Sequence, residues 1–152
     1  MPLPSIYNRA VISDIKQRID KLNANNQPLW GVMNPAQMLA HLNVMFEIGF
    51  VENQKRPNAF LRFVLQKLVK PKLIDETPYK KNSRTAPEMV ISHQPDFGKE
   101  KERLDNYLDK VSMQGAQFFE QRKHPVFGNL SSQEWSNLFY KHIDHHLKQY
   151  AL

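Results

Sequence analysis

The sequence predicts an all-α protein, a four-helix bundle with a long crossover between its second and third helices. Three observations favour it: apolar residues recur at helical spacing in four long segments, residues 71–97 contain four prolines, and no convincing strand is present. Two helices, a crossover and two further helices make a bundle. At 152 residues we expect a single domain over residues 1–152 with one core.

The first two helices have recognisable starts. The first is predicted over residues 6–22, with Ser5 as its N-cap. The second begins at NPAQ, residues 34–37, where Asn34 can cap and the following proline suits the first helical position. Gln37 stands where a capping box has Glu or Gln, so we expect this start to be well defined.

The crossover contains a shorter helix, predicted over FLRFVLQKLVK (residues 60–70) and ending before Pro71. It has an apolar stripe made of Phe60, Phe63, Val64 and Leu68. We expect this stripe to pack on the core, although a basic amphipathic helix can also lie on a membrane. The rest of residues 71–97 is predicted to run over the surface as a long connection.

The last two helices are predicted on either side of a turn. The third covers about residues 98–121, and the chain turns at HPVFGNL, residues 124–130. The fourth begins at SSQE, where Ser131 caps and Glu134 completes a capping box, and it runs to the C-terminus. Of the loop histidines, His93 and His124 are expected to be exposed or to stabilise turns.

Composition excludes several classes of protein. The chain has no cysteine, so disulfides, thiolate-bound clusters, cysteine nucleophiles and cysteine-ligated zinc are all excluded. Any metal must be held by His, Asp or Glu. The N-terminus lacks the apolar stretch of a signal peptide, and no segment approaches the roughly 20 apolar residues of a membrane span. We therefore expect a cytoplasmic protein without membrane contact.

One segment carries the whole excess of positive charge. Residues 55–84, called here the basic segment, hold nine Lys and Arg against two Asp and Glu. The other residues sum to −1, although the whole chain has a formal charge of +6. Such a segment can attract an anionic substrate or contact nucleic acid, but charge runs are more often a solvated face, which is the interpretation we favour.

Histidines cluster in the last helix. His142 and His146 are four residues apart, so they point the same way and can share one ion, whereas His145 points between two faces. His41 lies on the apolar stripe of the second helix, and bundle cores commonly build metal sites from facing helices. Three neutral imidazoles form the protein half of a tetrahedral site with one open position. A pH-sensitive cluster and plain core polarity remain alternatives.

Two further residues are candidates for the surroundings of this site. Gln149 lies one turn beyond His146, where it can hydrogen-bond a ligand histidine or a bound water, or simply add polarity at the helix end. Trp30 precedes the second helix and is expected to anchor packing or to wall a pocket.

Three motifs carry a resemblance to a known family. They are WGVMNPAQMLAHLN (30–43), HPVFGNLSSQEW (124–135) and KHIDHHLKQ (141–149). Together they resemble the DinB/YfiT-like superfamily of metal-dependent helical proteins, and more narrowly a branch known only as a domain of unknown function. The resemblance implies a four-helix bundle that binds a divalent metal, often nickel or zinc.

The resemblance also implies a ligand set. One histidine comes from the second helix and two come from the last, and these positions fall on His41, His142 and His146. His145 matches a position that is frequently histidine without being a usual ligand. Many members have an arginine after the histidine pair, where this chain has Leu147 and Lys148. Characterised relatives include transferases and isomerases that use low-molecular-weight thiols.

Two functional hypotheses follow. The first is a divalent-metal-binding protein that acts as a metal-dependent hydrolase or small-thiol-dependent transferase, with zinc or nickel as metal and a small-molecule substrate that the basic segment would attract if anionic. The second is a non-catalytic helical binding protein that uses residues 55–84 for an anionic partner. We do not favour nucleic acid as that partner, and homodimer formation remains open.

Overall fold

A computed structural model describes all 152 residues and shows a mostly helical protein with one small sheet. In chain order its elements are α1 (Arg9–Asp20), α2 (Pro35–Phe50), α3 (Ala59–Leu68), α4 (Lys70–Ile74), α5 (Phe97–Phe119), β1 (Arg122–His124), β2 (Gly128–Leu130) and α6 (Ser132–Gln149). A single 3₁₀ turn at Pro87–Met89 interrupts the connection between α4 and α5. The predicted all-α class therefore holds in outline, with a hairpin added.

The four long helices share one hydrophobic core. Helix α2 packs against α5 and α6, and α1 contacts the same two helices. Aromatic rings fill the centre: the rings of Phe46 and Phe139 stack with their centroids 4.7 Å apart, and Trp135 lies 5.3 Å from Phe139. A Cβ at Gly49 would lie 2.5 Å from the Phe139 ring, so the glycine permits α2 to approach α6 closely. None of the helices is both long and apolar enough to cross a bilayer.

Both predicted capping boxes are confirmed. At the start of α2 the Asn34 side chain accepts a hydrogen bond from the Gln37 backbone N–H at 2.9 Å, and the Gln37 side chain accepts from the Asn34 N–H at 3.1 Å. Ser131 and Glu134 make the same reciprocal pair at the start of α6. Each cap is worth about 1 kcal/mol. The caps define the starts of the two helices that carry His41 and the histidine pair.

The predicted start of the first helix is wrong by three residues. Helix α1 begins at Arg9, and its N-cap is Asn8, whose side chain accepts from the Ala10 N–H at 2.8 Å. Ser5 lies in the preceding turn. The reason is tertiary: the buried Ile6 donates its backbone N–H to the Ser136 hydroxyl at 3.1 Å, which holds this residue outside the helix.

The third long helix begins close to its predicted start. Asp96 caps α5 by accepting from the Lys99 N–H at 2.8 Å, and the predicted apolar positions Leu104, Leu108 and Val111 are buried. Gly115 leaves helical dihedral angles, with φ 69° and ψ −179°, so the last turn of α5 follows a kink. A positive φ of this kind is freely available only to glycine.

The turn predicted at residues 124–130 is a β-hairpin. Strands β1 and β2 pair antiparallel, with Arg122 opposite Leu130. The expectation that no strand exists is wrong because three-residue strands are too short to show a sequence period. His124 stabilises this turn, since its Nδ1 accepts from the backbone N–H groups of Val126 at 3.1 Å and Phe127 at 3.2 Å. It is buried rather than exposed.

The short helix of the crossover differs from its prediction in two ways. It is divided into α3 and α4, and Pro71 lies in the first turn of α4, where its missing N–H is no loss. Its apolar stripe does not pack on the core: Phe60 is 78% exposed, Phe63 59% and Leu68 65%. The opposite face meets the protein instead, because Gln66 donates to the Val126 carbonyl at 2.9 Å.

Candidate metal centre

Helices α2 and α6 bring three histidines together inside the protein. His41, His142 and His146 are 4%, 7% and 8% exposed. Each offers one ring nitrogen, and these three atoms lie within 4.8 Å of one another. The ring centroids are 4.7 to 4.9 Å apart, and the ring planes are close to perpendicular. This group could hold a metal ion.

The tautomer of His41 is defined by the crossover. Its Nδ1 lies 2.8 Å from the backbone carbonyl oxygen of Met89, which can only accept, so Nδ1 carries the proton. Its Nε2 therefore keeps a lone pair directed at the other two rings. Met89 is buried at the end of the 3₁₀ turn. A backbone carbonyl carries no sequence signal, and we did not predict this contact.

Gln149 defines the tautomer of His146. The Gln149 amide nitrogen donates to the Trp30 carbonyl at 2.6 Å, which orients the amide group. The amide oxygen then faces His146 Nδ1 at 2.8 Å and accepts its proton. Nε2 of His146 is therefore unprotonated, and its lone pair can coordinate a metal ion. A hydrogen-bonded N–H of this kind is what orients most metal-binding histidines.

His142 completes the group through a hydrogen bond to His41. Its Nε2 lies 2.8 Å from Nε2 of His41, and because the latter holds a lone pair, His142 donates. Its Nδ1 is buried and has no hydrogen-bond partner. In a tetrahedral zinc-type site ligand nitrogens lie roughly 3.3–3.4 Å apart, so the two Nε2 atoms would have to separate by about half an ångström, with the His142 proton on Nδ1 instead of Nε2. The three residues fit a small divalent ion.

Burial keeps the three imidazoles neutral, which is the protonation state that binds metals. Desolvation lowers the pKa of His41 and lowers that of His146 to about 3. The pKa of His142 falls well below its usual value, first through burial and then through the neighbouring histidines. At neutral pH no proton has to be displaced from a charged imidazole before an ion can bind.

Aromatic groups flank the cluster on one side. His145 does not join the three histidines; its ring lies 5.1 Å from His146, 5.6 Å from Trp30 and 5.8 Å from Tyr79. We call Trp30, Tyr79 and His145 the aromatic rim. The ammonium group of Lys81 lies 4.5 Å from the centre of the Trp30 ring. Tyr79 and Lys81 come from the crossover, where the sequence showed no period, and neither was predicted as part of the site.

The loop before α2 is fastened to the end of α6. The Leu29 N–H donates to the backbone carbonyl of Gln149 at 2.7 Å, and the side chain of Gln149 holds the Trp30 carbonyl. Gly31 has a φ of +79°, and a Cβ there would lie 2.7 Å from the Gln149 amide nitrogen. The glycine therefore leaves the space that Gln149 needs to reach His146.

Lys141, the neighbour of His142, ties the crossover to α6. It is 5% exposed, and its ammonium group donates to the Lys72 carbonyl at 2.9 Å and to the Asp75 carboxylate at 2.6 Å. The hydrogen bond from Lys141 lowers the pKa of Asp75. The same ammonium group lies 4.6 Å from the centre of the Tyr79 ring. This buried cation holds the end of α4 and one wall of the aromatic rim in place.

The remaining predicted features lie elsewhere. His93 is exposed and contributes only its carbonyl, which accepts from the Gln37 side chain at 3.2 Å. Among the nine cations of the basic segment, Lys70 alone pairs with a carboxylate, that of Glu134 at 3.3 Å. Most of this positive charge is not neutralised by the protein itself.

Comparison with known proteins places the chain in a family. Searches of curated proteins and of solved structures gave no match. One family model does match, over residues 10–151. The matched range contains the four long helices, apart from the first residue of α1, together with the crossover and the three buried histidines. The chain therefore belongs to the family described as "Protein of unknown function (DUF1569)".

Proposed function

We propose that the protein binds a divalent metal ion through His41, His142 and His146 and acts as a hydrolase or as a small-thiol-dependent transferase. One observation carries this proposal: three buried, neutral imidazoles place ring nitrogens within 4.8 Å of one another. Burying three polar rings side by side is costly unless the rings share a partner, and a metal ion would be such a partner.

Zinc and nickel are the metals we favour. Imidazole suits both, and the lack of cysteine leaves no thiolate that would select a softer ion. Three protein ligands leave a position open, which is typical of catalytic rather than structural sites. A divalent ion there would supply Lewis acidity, which suits both hydrolysis and transfer to a small thiol. Such a thiol would come from solution.

The chain's own groups prepare the site. The Met89 carbonyl and the Gln149 amide hold the Nδ1 protons of His41 and His146, so that both Nε2 atoms face inward. All three rings are buried, which favours their neutral form. The resemblance of the motifs at 30–43, 124–135 and 141–149 to the DinB/YfiT-like superfamily supports the same ligand set.

We expect the substrate to be a small anion. Lys81 pairs with no carboxylate and lies against Trp30, whose ring is within 5.6 Å of His145. An ammonium group beside an aromatic wall can hold a carboxylate or phosphate group while the rest of the molecule extends towards the histidines. Thiols of low molecular weight often carry carboxylates. A cytoplasmic location, as expected from the sequence, would supply them.

Elemental analysis tests the proposal. Protein purified without a metal-affinity column is expected to hold about one divalent ion per chain, and the ion should be lost from His142→Ala and His146→Ala. His93→Ala, which changes an exposed histidine, is the matched control and should retain it. A wild-type protein without metal that also takes up neither zinc nor nickel at neutral pH would rule the proposal out.

The alternative is a non-catalytic binding protein that uses the basic segment for an anionic partner. The unneutralised cations of residues 55–84 favour it. The variant His41→Ala distinguishes the two functions. If the protein is a metal-dependent enzyme, the variant should lose metal binding; if it is a non-catalytic binding protein, the variant should still bind its anionic partner. Affinity for nucleic acid that falls steeply with salt would favour the second.

A further inference from the structure

Helix α3 turns its apolar face away from the protein. Ten large hydrophobic side chains of the chain are exposed, and four of them lie on this helix of ten residues: Phe60, Leu61, Phe63 and Leu68. The other six are scattered over the N-terminus, loops and α5, as isolated exposed hydrophobics usually are. A contiguous apolar patch marks an interaction site.

The arrangement of α3 is the reverse of an ordinary surface helix. With about 100° between successive residues, one continuous face carries Phe63, Lys67, Phe60, Val64, Leu68 and Leu61 in that order. The opposite face carries Arg62, Leu65 and Gln66 and is directed at the hairpin. Leu65 is thus the one apolar side chain of the inner face, while most of the apolar side chains of α3 lie on the outer face, which core packing alone would not select.

The charged residues of the segment that contains α3 are all positive. No acidic residue occurs between Glu52 and Asp75, while Lys55, Arg56 and Lys67 are exposed within that span. A second copy of the chain packed against the same face would bring like charges together, which is unfavourable in an apolar interface. An occupant with both apolar and anionic groups satisfies the aromatic rings and the cations at once.

We propose that the outer face of α3 binds the surface of an anionic phospholipid bilayer. The four apolar side chains enter the boundary between headgroups and acyl chains, and Lys55, Arg56 and Lys67 meet the anionic headgroups. Ten residues of helix measure about 15 Å, so α3 lies along the surface rather than across it. The sequence-based expectation of no membrane contact rested on the lack of a signal peptide and of a membrane span, and neither bears on a helix that lies along the surface. The proposal does not depend on the metal centre.

Co-sedimentation with vesicles tests it. The protein, with and without zinc, is mixed with vesicles that contain phosphatidylcholine alone or phosphatidylcholine with about one third phosphatidylserine. We expect the protein to bind the anionic vesicles, and we expect this binding to weaken as the salt concentration rises. Binding to neutral vesicles should be much weaker. Phe60→Ser/Phe63→Ser should bind about tenfold less or weaker still. Val90→Ser/Met113→Ser, which changes two exposed hydrophobics elsewhere, should bind like the wild type.

A charge variant separates the contribution of the cations. Lys55→Gln/Lys67→Gln should lose most of the preference for anionic vesicles, whereas Lys21→Gln/Lys99→Gln should keep it. Circular dichroism checks that each variant is folded. The proposal is overturned if the wild type does not sediment with anionic vesicles, or if both hydrophobic variants lose binding equally. It is also overturned if sedimentation equilibrium shows a dimer that Phe60→Ser/Phe63→Ser dissociates while vesicles remain unbound, since a second copy would then cover the face.

Discussion

Gln149 joins the buried ring of His146 to the backbone of the loop before α2. Its amide oxygen lies 2.8 Å from His146 Nδ1, and its amide nitrogen lies 2.6 Å from the carbonyl oxygen of Trp30. The second contact gives the first its direction, because an amide held at its nitrogen can present only its oxygen to the ring. The orientation of one candidate ligand is thereby set by a residue 116 positions earlier in the sequence.

Replacing this amide should weaken metal binding without removing a ligand. In Gln149→Leu the Nδ1 proton of His146 loses its acceptor, so the ring is no longer fixed in the orientation that directs Nε2 inward. Loss of such a partner typically costs 10–100-fold in metal affinity. Zinc titration against a competing chelator measures it. Gln133→Leu, an exposed position on the same helix, is the control, and equal affinities in the two variants would contradict the role given to Gln149.

Gly31→Ala should act on the same contact from the other side. The added methyl group would lie 2.7 Å from the Gln149 amide nitrogen, and the φ of +79° is strained for alanine. We expect the zinc affinity to fall because Gln149 is displaced from His146. We also expect the free energy of unfolding to decrease by about 1 kcal/mol or more. Gly98→Ala, in the first turn of α5, is the control. Unchanged zinc affinity in Gly31→Ala would show that Gln149 does not need this space.

His124 should make the protein sensitive to acid. Burial lowers its pKa in the folded state to about 3, from an ordinary value of 6.5. As the pH falls, the His124 imidazole is therefore protonated at a higher pH in the unfolded chain than in the folded protein. Its contribution to the free energy of unfolding is fully present above pH 6.5 and is lost progressively down to about pH 3. This group alone contributes a slope of up to about 1.4 kcal/mol per pH unit. The buried histidines of the metal centre add slopes of the same sign.

The variant His124→Asn isolates that contribution. An asparagine oxygen can accept from the N–H groups of Val126 and Phe127 in place of Nδ1, but it does not titrate. Urea unfolding of metal-free protein between pH 4 and 6.5 should give a shallower dependence of stability on pH than in the wild type. His93→Asn changes a surface histidine as a control. Parallel curves for wild type and His124→Asn would refute the assignment.

Lys81 should govern the affinity for small anions. Its ammonium group has no carboxylate partner and lies against the Trp30 ring. Inorganic phosphate, titrated into metal-free protein and followed by chemical shifts of the Trp30 indole, should bind several-fold more weakly to Lys81→Gln, in line with a charge-assisted hydrogen bond. Lys80→Gln changes the exposed neighbour and is the control. If both variants bind phosphate alike, the rim holds no specific anion site.

Local sequence signals were sufficient for the helices that carry the histidines. The boxes at Asn34 and Ser131 define where α2 and α6 begin, since reciprocal side-chain caps are specific and short-range. Given those starts, helical spacing places His142 and His146 on one face. The convergence of His41 with that pair required only that the two apolar faces meet.

Other features had no local signal. The Met89 carbonyl belongs to the backbone, so the residue type at this position does not indicate its contact with His41. Tyr79 and Lys81 reach the site through the irregular crossover, whose path depends on tertiary ties such as that between Lys141 and Asp75. The prediction that the apolar stripe of α3 packs on the core was wrong, because periodicity identifies an apolar stripe without identifying what covers it.

The two fixed tautomers have a consequence for engineering. The Nδ1 proton of His41 is accepted by the Met89 carbonyl, after α2, and that of His146 by the Gln149 amide, which the Trp30 carbonyl before α2 orients. A minimal peptide that transplanted only the two histidine-bearing helices would carry all three imidazoles and Gln149. It would lack the Met89 carbonyl that fixes the His41 proton and the Trp30 carbonyl that orients the Gln149 amide. The coordinating set is thus a property of the connections as much as of the helices, and any graft has to include both.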